Sequence, residues 1–312
     1  MILYAIQRSL LSVLIIMVAV SLLNIMLHVV PGDPAVMVLG PRATPELIAE
    51  TRVAMGLDRS LPVQLATFFG NVLQGDLGRD IFTNRSVGQI VFRQLPYTLV
   101  LISASILWAA ALGILLGVHS AIRRNSWLDR ITGVLSVGTI SIPAFVMALY
   151  AVLIFAVWLQ WLPAIGAGQG FWGRVEHLIL PSFAIGISWV GYVARIVRAS
   201  MLEVMGEPHV RMARAFGLKE SAIVRSHILR IAVQPAITLI GAGVAHLFSA
   251  AVFVEVIFAR PGIGALIVSA VNERNYPIVL GTVLVTTGII VLATLVSDLI
   301  VAWLDPRLRE SL

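Results

Sequence analysis

Six stretches of this chain are long and apolar enough to cross the roughly 30 Å hydrocarbon core of a bilayer as helices of about 20 residues. They fall near residues 9 to 30, 97 to 121, 131 to 159, 178 to 198, 234 to 258 and 278 to 303. Charged residues make up only 12% of the chain and hydrophobic residues 59%, with a mean hydropathy of +0.95. A soluble domain carries about a quarter of its residues charged. The expected fold class is therefore an all-α integral membrane protein with six transmembrane helices.

Short cytoplasmic loops carry the excess of Lys and Arg, so the basic residues set the expected orientation. Thirteen of them lie on one side: Arg8, then Arg123, Arg124 and Arg130, then Arg195, Arg198, Arg211, Arg214, Lys219, Arg225 and Arg230, then Arg307 and Arg309. The opposite short loops hold only Arg174, Arg260 and Arg274. Both termini and the segment from Glu207 to Pro235 are expected in the cytoplasm. The net charge of +6 then reflects topology, and nucleic acid is not an expected partner. The first apolar run is too long for a signal peptide and has no small-residue cleavage site, so it reads as a retained helix. With no cysteine, disulfides, thiolate metal sites and cysteine nucleophiles are excluded.

The charged insert between the fourth and fifth apolar stretches carries the most functional information. Val210, Ala213, Phe216 and Gly217 recur at helical spacing and predict one apolar face, with Arg211 and Arg214 on another. Gly217 and Leu218 would end this helix, because glycine tolerates the left-handed conformation, and a second helix is expected from about Ser221 to Arg230. Such a helix, break and helix suits a place where another protein pushes. An amphipathic helix resting on lipid would use the same stripe and the same arginines.

Residues 31–96 form an expected helical cap on the opposite side. Thr44 can cap a helix that has Pro45 at its first position and stops at Gly56, and a second helix is expected from Pro62 to Leu73 before a turn at Gly75-Asp76-Leu77-Gly78. The cap either roofs the membrane portion or receives an outside partner. The loops Gln160 to His177 and Ala259 to Pro277 read as shaped lids, and Pro143 and Pro181 as sites of helix kinks.

Several chemistries are missing from the sequence. The single lysine, Lys219, follows Leu218 rather than the glycine that a phosphate-cradling G-x-x-x-x-G-K-[ST] loop needs, so this chain does not hydrolyse ATP in that way. Its six histidines are dispersed with no pair at metal-ligand spacing, and no G-x-S-x-G elbow occurs, so no catalytic or metal residue is assigned. Polar residues inside apolar stretches are costly and face protein or water. Asn24, His28, His246, Glu255 and Asp298 are of this kind, and each reads either as lining of a translocation path or gate or as a packing hydrogen bond.

Seven blocks, in order, carry a resemblance: Pro31-Gly32-Asp33-Pro34, Gly56-Leu57-Asp58, Gly75-Asp76-Leu77-Gly78, Trp161-Leu162-Pro163, Pro261-Gly262-Ile263-Gly264, Tyr276-Pro277 and Asp305-Pro306-Arg307. With them the chain resembles the transmembrane permease subunit of ABC importers of the dipeptide, oligopeptide, nickel and glutathione group. The resemblance covers nearly the whole chain. It implies the type I importer permease fold: residues 1–30 as N-terminus and first helix, 31–96 as the outer cap, 97–303 as a five-helix core, and 304–312 as a cytoplasmic tail. Residues 207–230 then match the coupling segment that docks on an ATP-binding subunit. The implied coupling residues are Val210, Arg211, Met212, Ala213, Arg214, Phe216, Gly217, Leu218 and Glu220, with Ala213 and Gly217 kept small for helix-to-groove packing. Arg211 and Arg230 stand where the wider superfamily has a glutamate and a proline.

Glu255, Arg260, Pro261, Gly262, Gly264 and His246 are the implied outer gate or pathway candidates. Arg260 replaces a tryptophan common in the group, and reads either as a gate or substrate contact or as a solubilising surface residue. The resemblance implies alternating access in a bacterial inner membrane, and no cofactor in this chain. ATP and Mg2+ would be bound by two partner ATPase subunits, a second and different permease would complete a heterodimer, and an extracytoplasmic binding protein would deliver solute. Short peptides are the expected cargo, with nickel chelates, glutathione and opines as alternatives. A stand-alone carrier or channel is the competing class.

Overall fold

The structure is a computed structural model, and it describes residues 2–29, 34–39, 43–54 and 58–304. Pro31-Gly32-Asp33, Gly56-Leu57 and Asp305-Pro306-Arg307 lie outside the described residues, as do the side chains of His28 and Asp298. Thirteen described helices follow one another: α1 Ile2–Val29, α2 Pro34–Leu39, α3 Pro45–Ala54, α4 Leu61–Leu73, α5 Val87–Ile122, α6 Trp127–Ser141, α7 Ala144–Trp158, α8 Gly170–Met205, α9 Pro208–Ala215, α10 Glu220–Ala242, α11 Val244–Ile257, α12 Ile263–Asn272 and α13 Tyr276–Leu304. They group into two compact units, Met1–Tyr97 with Pro261–Leu292, and Thr98–Arg260 with Ala293–Leu312.

In the first unit, α3 begins at Pro45 and Thr44 Oγ1 accepts from the backbone N–H of Leu47 at 3.4 Å, the cap the sequence predicts. Past α4, Gly75 and Gly78 take φ of 80° and 90°, and Asp76 Oδ1 accepts from Gly78 N at 2.9 Å. Only glycine adopts such values without strain, which fixes the turn Gly75-Asp76-Leu77-Gly78. Val87 and Val91 of α5 then pack with Ile263 and Ala270 of α12 and with Ile278 and Val279 of α13. The segment expected as the lid Ala259 to Pro277 therefore contains a helix.

Among the described residues, α5, α8, α10 and Tyr276–Ser297 of α13 are long and apolar enough to span a membrane, and α6 with α7 makes a fifth if the bent pair counts as one span. Two of the six expected spans depart from a single helix. Residues 131–159 form α6 and α7, bent by 102° at Ile142-Pro143. Pro143 has no N–H for the carbonyl of Thr139, and the hydroxyl of Ser188 on α8 donates to that oxygen instead, at 2.9 Å. Residues 234–258 are broken at Gly243, where a Cβ would lie 1.8 Å from the ring of Trp189. By contrast α8 runs unbroken through Pro181, and it begins at Gly170, so the lid expected up to His177 ends earlier in a helix.

α8 is the axis of the second unit. Gly113 and Gly117 on α5 meet it where added Cβ atoms would lie 2.7 Å from Val193 Cβ and 2.7 Å from the Ala194 carbonyl. Gly191 on α8 lets α6 approach in the same way, against the Ser136 carbonyl. Small residues at such crossings allow the backbone contact that holds helices together where no hydrophobic effect does.

Candidate functional site

The charged insert folds as a helix, a break and a helix. Val210 and Ala213 of α9 are buried, in one cluster with Val193, Val197 and Met201 of α8 and Ile223 and Ile228 of α10. Arg211 closes the corner after α8, its Nε and Nη2 donating to the Gly206 carbonyl at 3.2 and 2.8 Å. A cation suits the C-terminal end of a helix, where carbonyls lack partners. Arg214 reaches over the break to Glu220, Nε to Oε2 at 3.2 Å and Nη2 to Oε1 at 2.7 Å. This pair is exposed, so it is worth only about 0.2–1 kcal/mol, and its part is to fix the angle of the break.

Gly217 adopts φ of 74°, and an added Cβ would meet nothing within 4 Å. The requirement for glycine is conformational within this chain, so Gly217→Ala is expected to cost about 1 kcal/mol through left-handed backbone strain. A small drop in the melting temperature of the detergent-purified protein would register it; no drop would mean that the turn relaxes freely. The second helix starts at Glu220, not Ser221, and does not end at Arg230. It continues as α10 to Ala242, including a π-helical turn at Val224–Ile228. Movement of α9 is thus linked directly to a candidate membrane span.

The expected apolar face divides in two. Val210 and Ala213 point into their own unit, while Phe216 is 79% exposed, and Met212 and Leu218, outside the expected stripe, are 60% and 48% exposed. Phe216 leaves the register because α9 ends at Ala215, and the residue sits in the turn with φ −77° and ψ 3°. Ala213 is buried against its own chain, in the cluster with Val210.

The opposite end of the second unit gathers two of the gate candidates. Glu255 on α11 is fully buried, and Thr98 Oγ1 donates to its Oε1 at 2.5 Å. The Glu255 backbone carbonyl accepts from Arg260 N at 2.8 Å across a turn in which Ala259 has φ of 43°. The Phe258 carbonyl accepts from Gly166 N at 2.9 Å, tying the preceding loop to this turn. Arg260 is only 4% exposed, which rules out a solubilising surface role. Its Nη1 donates at 3.4 Å to the carbonyl of His177, the group that Pro181 deprives of its helical donor. Thr98→Val is expected to cost about 1–3 kcal/mol, since it takes a donor from a buried carboxylate. An unchanged thermal midpoint would show that the hydroxyl carries no weight.

His246, on the same helix as Glu255, is not gathered there. His246 is exposed and lies nine residues before Glu255, a separation that puts it on the opposite face of α11. Pro261, Gly262 and Gly264 belong to the first unit, where Gly262 precedes α12 in an extended conformation and Gly264 is buried.

Sequence reasoning missed the ion pair of Asp129 and Arg198. Arg198 Nε donates to Asp129 Oδ1 at 2.6 Å and Nη2 to Oδ2 at 2.8 Å, while Ser120 Oγ and the backbone N–H of Asn125 donate to the same carboxylate. The signal was an acid in the first turn of an apolar helix, where it also acts on the helix dipole. Gly113 and Gly117 were likewise legible as G-x-x-x-G.

Comparison with known proteins decides what this arrangement belongs to. Residues 113–310 match the family model "Binding-protein-dependent transport system inner membrane component", and residues 1–102 match the N-terminal model of the same kind of protein. The chain belongs to this family. It is therefore a multi-pass ABC importer permease of the inner membrane, a subunit that works with ATPase and solute-binding subunits and is not itself the ATPase. It is 36% identical over 306 residues to the glutathione transport system permease protein GsiC of Salmonella choleraesuis, covering 98% of each chain. It is 35% identical over 308 residues to the probable peptide ABC transporter permease protein y4tP of Sinorhizobium fredii, covering 97% of this chain and 98% of that one. Among solved structures, the inward-facing MetNI methionine ABC transporter gives a TM-score of 0.57 at 20% identity, over 70% of this chain and 97% of that one. That likeness shows a permease fold.

Proposed function

We propose that this permease forms half of the pathway of an importer for short peptides, glutathione among them, and that residues 207–230 transmit the ATPase stroke. The observation that carries the reading is the exposed set Met212, Phe216 and Leu218. Three large apolar side chains stand out from a break that Arg214, Glu220 and the buried Val210 hold in one shape. Apolar anchors presented on a rigid support are what a docking site needs. The names of the glutathione and peptide permeases that the chain resembles over nearly its full length support the cargo class.

In this reading both termini and α9 are cytoplasmic, an orientation that the distribution of arginines supports. A second, different permease completes the pathway. The partner ATPase subunits bind ATP with Mg2+, and closure of those subunits swings α9 and with it α10. Glu255 and Arg260, both buried, hold the shape of the outer turn rather than touch cargo.

The test is ATP-dependent uptake of labelled glutathione and of di- and tripeptides into proteoliposomes holding the complete complex with its binding protein. Uptake of these compounds, lost in Phe216→Asp, is the expected result. A complex that hydrolyses ATP yet moves none of them would overturn the cargo, and nickel chelates and opines would be examined next. Wild-type uptake by Phe216→Asp would overturn the docking surface.

A further inference from the structure

The first unit contains a cavity of about 370 Å3 at the start of α5, before the apolar part of that helix. Asp80, Arg85, Arg93, Gln94, Tyr97 and Pro261 line it. The volume suits one or two residues of a peptide.

Its chemistry is set by which polar groups are already occupied. Asp80 is fully used by its own loop and by Asn275. Oδ1 accepts from Phe82 N at 3.2 Å and from Asn275 Nδ2, and Oδ2 accepts from Thr83 N at 3.2 Å and from Thr83 Oγ1. Those four bonds fill the acceptor positions of a carboxylate. Burial pushes the Asp80 carboxyl up, but the hydrogen bonds from Thr83, Asn275 and the two backbone amides outweigh it and hold the group below the usual carboxylate range. Asp80 therefore remains ionised, and as a structural anion it has no lone pair left for a ligand.

The arginines are in the opposite position. The side chains of Arg85 and Arg93 make no hydrogen bond or ion pair among the described residues. Two guanidinium groups against one carboxylate leave the lining one positive charge in excess. Gln94 adds a buried side-chain oxygen, Oε1, that has no donor among the described residues. The cavity thus offers two forks of N–H donors for an anion, while the Gln94 oxygen lies behind its surface, out of reach of solvent.

We propose that this cavity is an outer subsite for the C-terminal carboxylate of a short peptide, a proposal that rests on the importer reading above for its side of the membrane and its cargo. Arg85 and Arg93 hold the carboxylate, and Tyr97 and Pro261 form the wall against the side chain. Arginine suits the carboxylate because its planar fork matches two oxygens at once.

The test uses the assembled transporter in phosphatidylcholine nanodiscs and follows phenylglyoxal labelling of Arg85 and Arg93 by mass spectrometry. The probes are N-acetyl-alanyl-alanine and its C-terminal amide. The free acid is expected to slow labelling of both arginines about tenfold and the amide hardly at all, because only the acid gives charge-assisted bonds. Equal protection by both compounds, or by neither, would overturn the subsite. So would protection that appears only with phosphatidylglycerol in the disc, which would assign a lipid phosphate, or only with the binding protein added, which would assign an acidic side chain of that partner.

A transport arm gives a second readout. Arg93→Gln is expected to raise KM for a free-acid tripeptide about tenfold and to leave kcat in place, the pattern of lost ground-state binding. If the complex imports no peptide at all, the cargo reading fails, while the labelling result still decides whether this cavity takes a carboxylate.

Discussion

A permease carrying Phe216→Asp will purify with the melting behaviour of the wild type and will fail to hold its ATPase subunits. Phe216 is 79% exposed in the turn after α9, so the substitution removes little internal contact. On a docking surface it deletes an aromatic anchor and adds a charge that the partner must desolvate. Anchors of this sort are worth about 2 kcal/mol or more, which corresponds to a loss of affinity of about thirtyfold. Val210→Asp, six residues earlier, should do the reverse. Val210 has no exposure, and an unpaired carboxylate in its cluster would cost on the order of 4 kcal/mol and melt the insert before any question of docking arises. Co-purification of the ATPase subunits together with thermal melting of the permease separates the two. If Phe216→Asp retains its ATPase and its uptake, the outward apolar set is not where the stroke is received.

The second large effect is expected at Asp129. Its carboxylate takes two bonds from Arg198 and one each from Ser120 and Asn125, and its side chain is 7% exposed. In Asp129→Ala all of those donors lose their acceptor, and Arg198 is left as a half-buried cation. A loss of about 3 kcal/mol is expected, at the low end for a broken buried pair because Arg198 retains access to water. The pair ties the start of α6 to α8 three turns before the insert, so coupling should suffer along with stability. Replacing both members together, as Asp129→Leu with Arg198→Met, should recover most of the stability, because no charge is then left unpaired. A double-mutant cycle on the thermal midpoint measures the coupling energy, and additive single effects would show that the pair does not act as a unit.

Much of this architecture could be read from local sequence, and the exceptions share a cause. Thr44 with Pro45, the glycines at 75 and 78, and Gly217 act within a few residues of themselves, and the structure places each where its own backbone preference puts it. What escaped was set by neighbours distant in sequence. Position 243 must be glycine because the ring of Trp189 occupies the space where a Cβ would lie. Arg260 is buried because Pro181 leaves a carbonyl at His177 without its donor, 83 residues away along the chain. Asp129 and Arg198 are 69 residues apart. The division of the α9 stripe has a different origin: periodicity presumes that the helix continues, and this one stops one residue before Phe216. The helix, break and helix of the charged insert were therefore legible from sequence, while which of its apolar side chains face outward was not.

The bend between α6 and α7 bears on how such a subunit can exist in a cell. Ser141, Ile142 and Pro143 are exposed at the corner, and a helix that ends there presents carbonyls that the next turn would otherwise have satisfied. Ser188 takes care of the carbonyl of Thr139, and the remainder of the corner faces outward. Hydrocarbon offers nothing to such groups, so an irregular corner at membrane depth persists only against protein or water. A solitary copy of this polypeptide is on these grounds a poor resident of the bilayer, and one synthesised in excess of its companions should be cleared by membrane proteases. Its abundance would then follow that of the scarcest subunit, and a pulse-chase with and without co-expressed companions would reveal assembly acting as its own form of dosage control.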